Sequence, residues 1–167
     1  MCAGLKKLYP QAIVTGEEDI AQNPKIMVEL LNAELGFLID PVDGTNNFIK
    51  GNERFAVMLV ALRKGDAVAS FIYLPAKGTM CHAIKGGGAF LNEEKITLKT
   101  PVLSLEKMVG AAHINRMPSD VRVIAKEGLS YIKENKPSYC AGYDYVSLLN
   151  GRKDFSAYYR TLLWDHL

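Results

Sequence analysis

Long apolar runs are missing from this chain. No stretch approaches the roughly 18 to 20 apolar residues that cross a bilayer, and the first residues lack the basic-then-apolar order of a secretory leader, so no membrane partner is expected. Cysteine is scarce: Cys2, Cys81 and Cys140 are the full set. An odd number without CxxC spacing argues against a disulfide framework or a cysteine-based zinc site, and fits reduced thiols in the cytoplasm. Charge of one sign is also lacking. Lysine and arginine total 20 against 18 acids, a formal net charge of +2, and the basic residues are scattered, so no nucleic-acid partner is expected. Internal repeats, low-complexity segments and interdomain linkers are absent, and residues 1–167 are read as a single domain. Covalent serine or cysteine catalysis lacks its signatures: there is no nucleophile elbow, and neither Cys81 nor Cys140 has a partner that would activate a thiolate. The histidines His82, His113 and His166 fall at no metal-ligand spacing and are read as ordinary polar or partly buried side chains.

The residues that are present suffice for a packed domain: 49% are hydrophobic and 23% charged, ordinary for a globular protein. Residues Leu5 to Val14 read as the tail of a helix, a Tyr9-Pro10 break and a short strand from Ala12. Asn23-Pro24 starts a helix with Ile26, Met27, Leu30 and Leu31 at helical spacing, and Gly36 lies just past its end. Ala56 to Leu62 and Ala67 to Tyr73 are β-rich runs joined by Arg63-Lys64-Gly65-Asp66, an antiparallel hairpin. Met80 to Ile84 and Ala89 to Leu91 extend the meander, and Lys85-Gly86-Gly87-Gly88-Ala89 between them is read as a hairpin turn in preference to a phosphate-cradling loop. Val121, Ile124, Ala125, Gly128, Leu129 and Ile132 form one helical face, with Ser119 as its cap. Tyr143 to Asn150 is a helix closed by Gly151, and Phe155 to Tyr159 a strand. The pattern predicts an α/β, layered α+β fold with a mixed, largely antiparallel sheet and flanking helices.

One short stretch concentrates chemistry. Asp40-Pro41-Val42-Asp43-Gly44-Thr45 follows an apolar run, Gly36 to Ile39, and supplies two carboxylates, a carbonyl, a flexible glycine and a hydroxyl. Such oxygen-only donors suit Mg²⁺ and a phosphate. An Asx-type turn accounts for the same composition, because Asp, Pro and Gly are ordinary turn formers. Glu17 and Asp165 stand, like Asp40 and Asp43, where an extended or apolar run gives way to a turn, so the four acids are expected at one edge of the fold. Two carboxylates about 4.5 Å apart repel by roughly 3 to 4 kcal/mol at an effective dielectric near 20. Such a cluster must take up protons or bind cations.

The chain resembles the inositol monophosphatase-like family of magnesium-dependent, lithium-sensitive phosphatases. The resemblance rests on GEE at Gly16 to Glu18, IDPVDGTNNF at Ile39 to Phe48, KGGGAFLN at Lys85 to Asn92 and WD at Trp164-Asp165. It implies two or three Mg²⁺ ions held by Glu17, Asp40, the Val42 carbonyl, Asp43 and Asp165, with catalysis by Glu17, Thr45 and Asp43 through a metal-activated water. It further implies phosphate binding by the amides of Gly44 and Thr45, substrate contact by Asp43, Ala141 and Tyr158, and a homodimer. Inositol-specific members carry a Glu at the position matched by Tyr158, so inositol monophosphate and other sugar or alcohol phosphates are both expected substrates. Members also bring two helices before GEE and an αβ segment after WD, so on this comparison the fold is the central part of theirs, incomplete at both termini. Two alternatives stand beside this expectation: an inactive fragment or scaffold that keeps the ligands, and a haloacid-dehalogenase-type phosphatase, whose DxD pair is here DxxD.

Overall fold

The computed structural model describes residues 1–98, 100–101 and 104–166. Helix α1 (Cys2–Leu8) leads into strand β1 (Ile13–Gly16), then α2 (Glu17–Gln22), α3 (Lys25–Asn32), β2 (Gly36–Asp43) and the short helix α4 (Thr45–Ile49). The meander follows as β3 (Ala56–Arg63), β4 (Asp66–Leu74), β5 (Thr79–Ile84), β6 (Gly88–Leu91) and β7 (Glu94–Lys95). The last third holds β8 (Val109–Ala112), α5 (Ser119–Leu129), β9 (Glu134–Asn135), α6 (Ala141–Leu149), β10 (Phe155–Ala157) and α7 (Leu163–His166). Among the described residues no helix is long and apolar enough to cross a membrane.

Strands β1 to β7 form one sheet in sequence order, parallel between β1 and β2 and antiparallel elsewhere. Both predicted hairpins are present, with Lys64-Gly65 and the Lys85–Gly87 turn as connections. Strand β2 is apolar on both sides for a physical reason. Leu38 packs with Ile20, Leu30, Val60 and Leu62, while Phe37 and Ile39 pack with Val14 and Ala61 on the opposite face. The helical spacing of α3 is borne out as well, with Leu30 fully buried and Ile26, Met27 and Leu31 packed around the same cluster.

Several expectations are corrected. A second, wholly parallel sheet of order β10-β8-β9 was not foreseen; its strands are four residues or shorter, too brief to leave a period in the sequence. Strand β10 stops at Ala157 rather than Tyr159. Helix α6 begins at Ala141, two residues earlier than read, because Cys140 in extended conformation caps it. Ser119 is the first residue of α5, with Pro118 at the cap and no side-chain cap bond. The apolar face of α5 is largely uncovered: Val121 and Ile124 are exposed, and none of its residues is buried. Helical periodicity reports a face able to pack, and says nothing of what it packs against.

Candidate active site

Two parallel strand pairs aim their C-terminal ends at one cavity of about 440 Å³. In the first, Gly16 of β1 lies opposite Ile39 of β2, so the next residues, Glu17 and Asp40, emerge side by side. Glu17 opens α2 directly after its strand. In the second, Ala112 of β8 lies opposite Ala157 of β10, so His113 and Tyr158 emerge together, tied by the His113 N–H donating to the Ala157 carbonyl at 2.9 Å. Ligand sites outside the carboxyl ends of parallel strands are the general rule for such sheets.

Strand β2 does not stop with the apolar run at Ile39, as the sequence suggested, but runs on to Asp43 with a shift in register. Asp40 pairs with Met58 and Asp43 with Ala56, leaving Pro41 and Val42 opposite the single residue Val57. Pro41 has no N–H to give the ladder, so a bulge falls here. The turn reading also holds in part: the Val42 N–H donates to Asp40 Oδ1 at 3.0 Å, an Asx-type bond. Bulge and bond together bring both acids to the cavity, where each is buried. Gly44 then adopts φ +80°, and a Cβ there would stand 2.9 Å from Cys140 Cβ, so both the turn and the close approach require glycine.

Asp40, Asp43 and Asp165 can each bring one carboxylate oxygen within 4.8 Å of the other two. Glu17 lines the same cavity but stands outside that set, so the expected four-acid cluster is three acids with a fourth on the wall. Asp165 comes from α7, which touches β2 and β3. Burial pushes the Asp40 carboxyl up to about 7, with Asp43, Glu17 and Asp165 adding repulsion against the lowering bond from Val42. Asp165 is raised to about 6, first by burial and then by Asp43 and Glu17. Glu17 is raised by burial, Glu18 and Asp43. Three carboxylates gathered this closely, two of them with raised values, fit a hard divalent cation.

Asp43 is held from behind by α6. Its Oδ2 accepts the Gly142 N–H at 2.7 Å and the Cys140 thiol at 3.0 Å, leaving Oδ1 uncommitted by these bonds. Burial, then Asp43 itself, pushes the Cys140 thiol up, so it is a neutral donor and no nucleophile. Its contact with Asp43 was invisible in sequence, the two being 97 residues apart. Thr45 Oγ donates to the Val42 carbonyl at 3.0 Å. Ala141 and Tyr158 line the cavity as expected. His113, read from sequence as an ordinary polar residue, lines it too, as do Arg116, Tyr139 and Arg160; no local spacing marks any of these four.

Comparison with known proteins follows the same lines. A family model described as the inositol monophosphatase family matches residues 1–167. A putative Nus factor SuhB of Neisseria meningitidis is 27% identical over 164 residues, covering 96% of this chain and 60% of that protein. A fructose-1,6-bisphosphatase/inositol-1-monophosphatase of Thermotoga maritima is 28% identical over 170 residues, covering 96% and 58%. The crystal structure of inositol monophosphatase II from Staphylococcus aureus superposes with a TM-score of 0.84 at 23% identity, covering 98% of this chain and 60% of that one. The fold is thus shared, and the chain spans about 60% of the length of the relatives it matches.

Proposed function

Since the chain belongs to the inositol monophosphatase family, we propose that it is a Mg²⁺-dependent phosphomonoesterase acting on inositol monophosphate or a related sugar or alcohol phosphate. The observation that carries this reading is the trio Asp40, Asp43 and Asp165, gathered within 4.8 Å at one cavity. These acids, with Glu17 and the Val42 carbonyl, would hold two or three ions. Such ions, when bound, supply Lewis-acid polarisation of the phosphoryl oxygens and a water of lowered pKa.

The chain's own groups divide the remaining work. Asp40 and Asp43 each keep one oxygen occupied by a backbone N–H, which fixes the direction of the other. Thr45 Oγ spends its proton on the Val42 carbonyl, so its lone pairs are left to accept a hydrogen bond from the attacking water. Glu17, on the same cavity wall, would orient that water together with Thr45. Gly44, with no side chain in the way, and Thr45 offer backbone amides to the phosphate where α4 begins. Ala141 and Tyr158 bound the space left for the alcohol half, beside Asp43. We further propose that the chain works in the cytoplasm, consistent with three free cysteines, as a homodimer.

The test is Mg²⁺-dependent phosphate release from inositol 1-phosphate by the 167-residue chain. Asp43→Asn should lower kcat/KM by about a hundredfold or more, as loss of a metal ligand demands. Phosphate release that is absent, or unchanged in Asp43→Asn, overturns the proposal. Millimolar LiCl should inhibit where the same NaCl does not. A second reading, a scaffold that keeps the ligands without turnover, is favoured by one fact, that the Neisseria meningitidis relative is named a putative Nus factor SuhB rather than a phosphatase. The haloacid-dehalogenase reading does not survive the family match.

A further inference from the structure

The first turn of α6 serves two masters. Gly142 and the cap residue Cys140 hold Asp43, and two residues on, Asp144 holds His113. Asp144 is fully buried, and its Oδ2 lies 2.6 Å from His113 Nε2. Ser138 Oγ donates to it at 2.6 Å and the Ser138 N–H at 3.2 Å, and the nearly buried Lys153 ammonium is also bonded to it. Burial alone would raise this carboxyl, but the bonds from His113, Lys153 and Ser138 outweigh burial and hold it low. Asp144 is therefore an ionised acceptor, and Nε2 carries the proton between them. This fixes both the tautomer and the direction of the ring, leaving Nδ1 as its other polar atom.

The ring so fixed is part of the cavity wall. It stacks on Tyr158 with centroids 4.6 Å apart and planes at 17°, and Tyr139 meets it edge-on at 5.6 Å. A buried network of this kind is stable without exposing the ring to a cavity, yet here its one ring-bearing member faces the space beyond the acids. We infer that His113 is a substrate-contacting residue for the alcohol half of the ester, hydrogen-bonding through Nδ1 to one of its hydroxyls while its stacked face stays against Tyr158. Asp144 is the positioning residue behind it. This inference rests on the phosphomonoesterase reading, and it adds a contact that the acids and the Gly44–Thr45 turn do not supply.

The experiment is equilibrium titration of the Mg²⁺-loaded full chain with inorganic phosphate and, with Ca²⁺ replacing Mg²⁺, with inositol 1-phosphate and 2′-AMP. His113→Phe keeps a flat ring against Tyr158 and removes the nitrogens. It should weaken at least one ester by about tenfold, the loss expected for one good hydrogen bond, and leave inorganic phosphate within about twofold. Asp144→Asn should show the same selective loss, partly restored in Asp144→Glu, with far-ultraviolet dichroism confirming that each variant is folded. Equal losses for phosphate and esters, or no loss for either ester, overturn the inference and assign the network a purely structural role. Failure of the wild-type chain to bind phosphate overturns the phosphomonoesterase reading, and this inference with it.

Discussion

Asp43 shows how much one side chain is asked to do. Its Oδ2 is anchored to the Gly142 N–H and the Cys140 thiol, so its orientation is set by a helix a hundred residues along the chain rather than by its own turn. The sequence marked Asp43 through its neighbours, since D-x-x-D-G-T is a dense set of oxygen donors, but neither anchor leaves any local trace. Gly44 beside it is equally constrained. Alanine at φ +80° costs about 1 to 2 kcal/mol for the left-handed backbone alone, and its methyl would also press on Cys140 Cβ at 2.9 Å. Urea unfolding of Gly44→Ala should therefore show a loss of about 2 kcal/mol or more, together with a fall in the proposed phosphatase activity. A loss under about 0.5 kcal/mol, the scale of a neutral surface change, would refute this account.

Among the elements, α6 is the one on which the site turns. It packs against β3 and β4 of the large sheet and β10 of the small one, and its first turn holds Asp43 on one side and His113 on the other. Gly142 permits the close approach: a Cβ there would meet Ala56 Cβ at 2.9 Å, Ile72 Cγ2 at 3.0 Å and Met58 Sδ at 3.0 Å. Gly142→Ala should cost about 1 to 3 kcal/mol by overpacking and reduce kcat as the Asp43 anchor shifts; a variant with wild-type melting temperature and kcat would refute it. Helix α6 itself was legible, from Tyr143 onward, because an apolar stretch closed by Gly151 is a local signal. Its start was not, because a cysteine is a poor predictor of a cap. Strands β2 to β6 were legible for the same reason as α6, since apolar runs and the turn residues that bound them lie close together in the chain. The pairing of β8 with β10 was not, because it joins segments 45 residues apart by backbone bonds that carry no side-chain code.

Across the whole molecule, the acids with shifted values make stability depend on pH in two windows. Asp40 and Asp165 have folded values of about 7 and about 6, above the ordinary carboxylate value near 4. Between about pH 4 and 7 the folded, metal-free chain thus binds more protons than the unfolded one, and its stability falls as pH rises. Asp144 is shifted the other way, so its stabilisation is present above about pH 4 and lost on further acidification. The metal-free melting temperature should therefore peak in weak acid, and Mg²⁺ should raise it more at about pH 7.5 than at about pH 5, where protons occupy the site. A metal-free melting temperature that rises steadily toward pH 7.5, or Mg²⁺ stabilisation that is no greater there, would contradict this. The sequence alone determined the fold class and most strands and helices, and it singled out the four acids that the proposal uses, because each is written in residue type and short-range spacing. Only the tertiary structure decided that Asp40, Asp43 and Asp165 meet with Glu17 on the wall of the same cavity, that Cys140 holds Asp43 and lines that cavity with His113, and that Asp144 holds His113. Those facts follow from strand register and helix packing, which bring residues together irrespective of their separation along the chain.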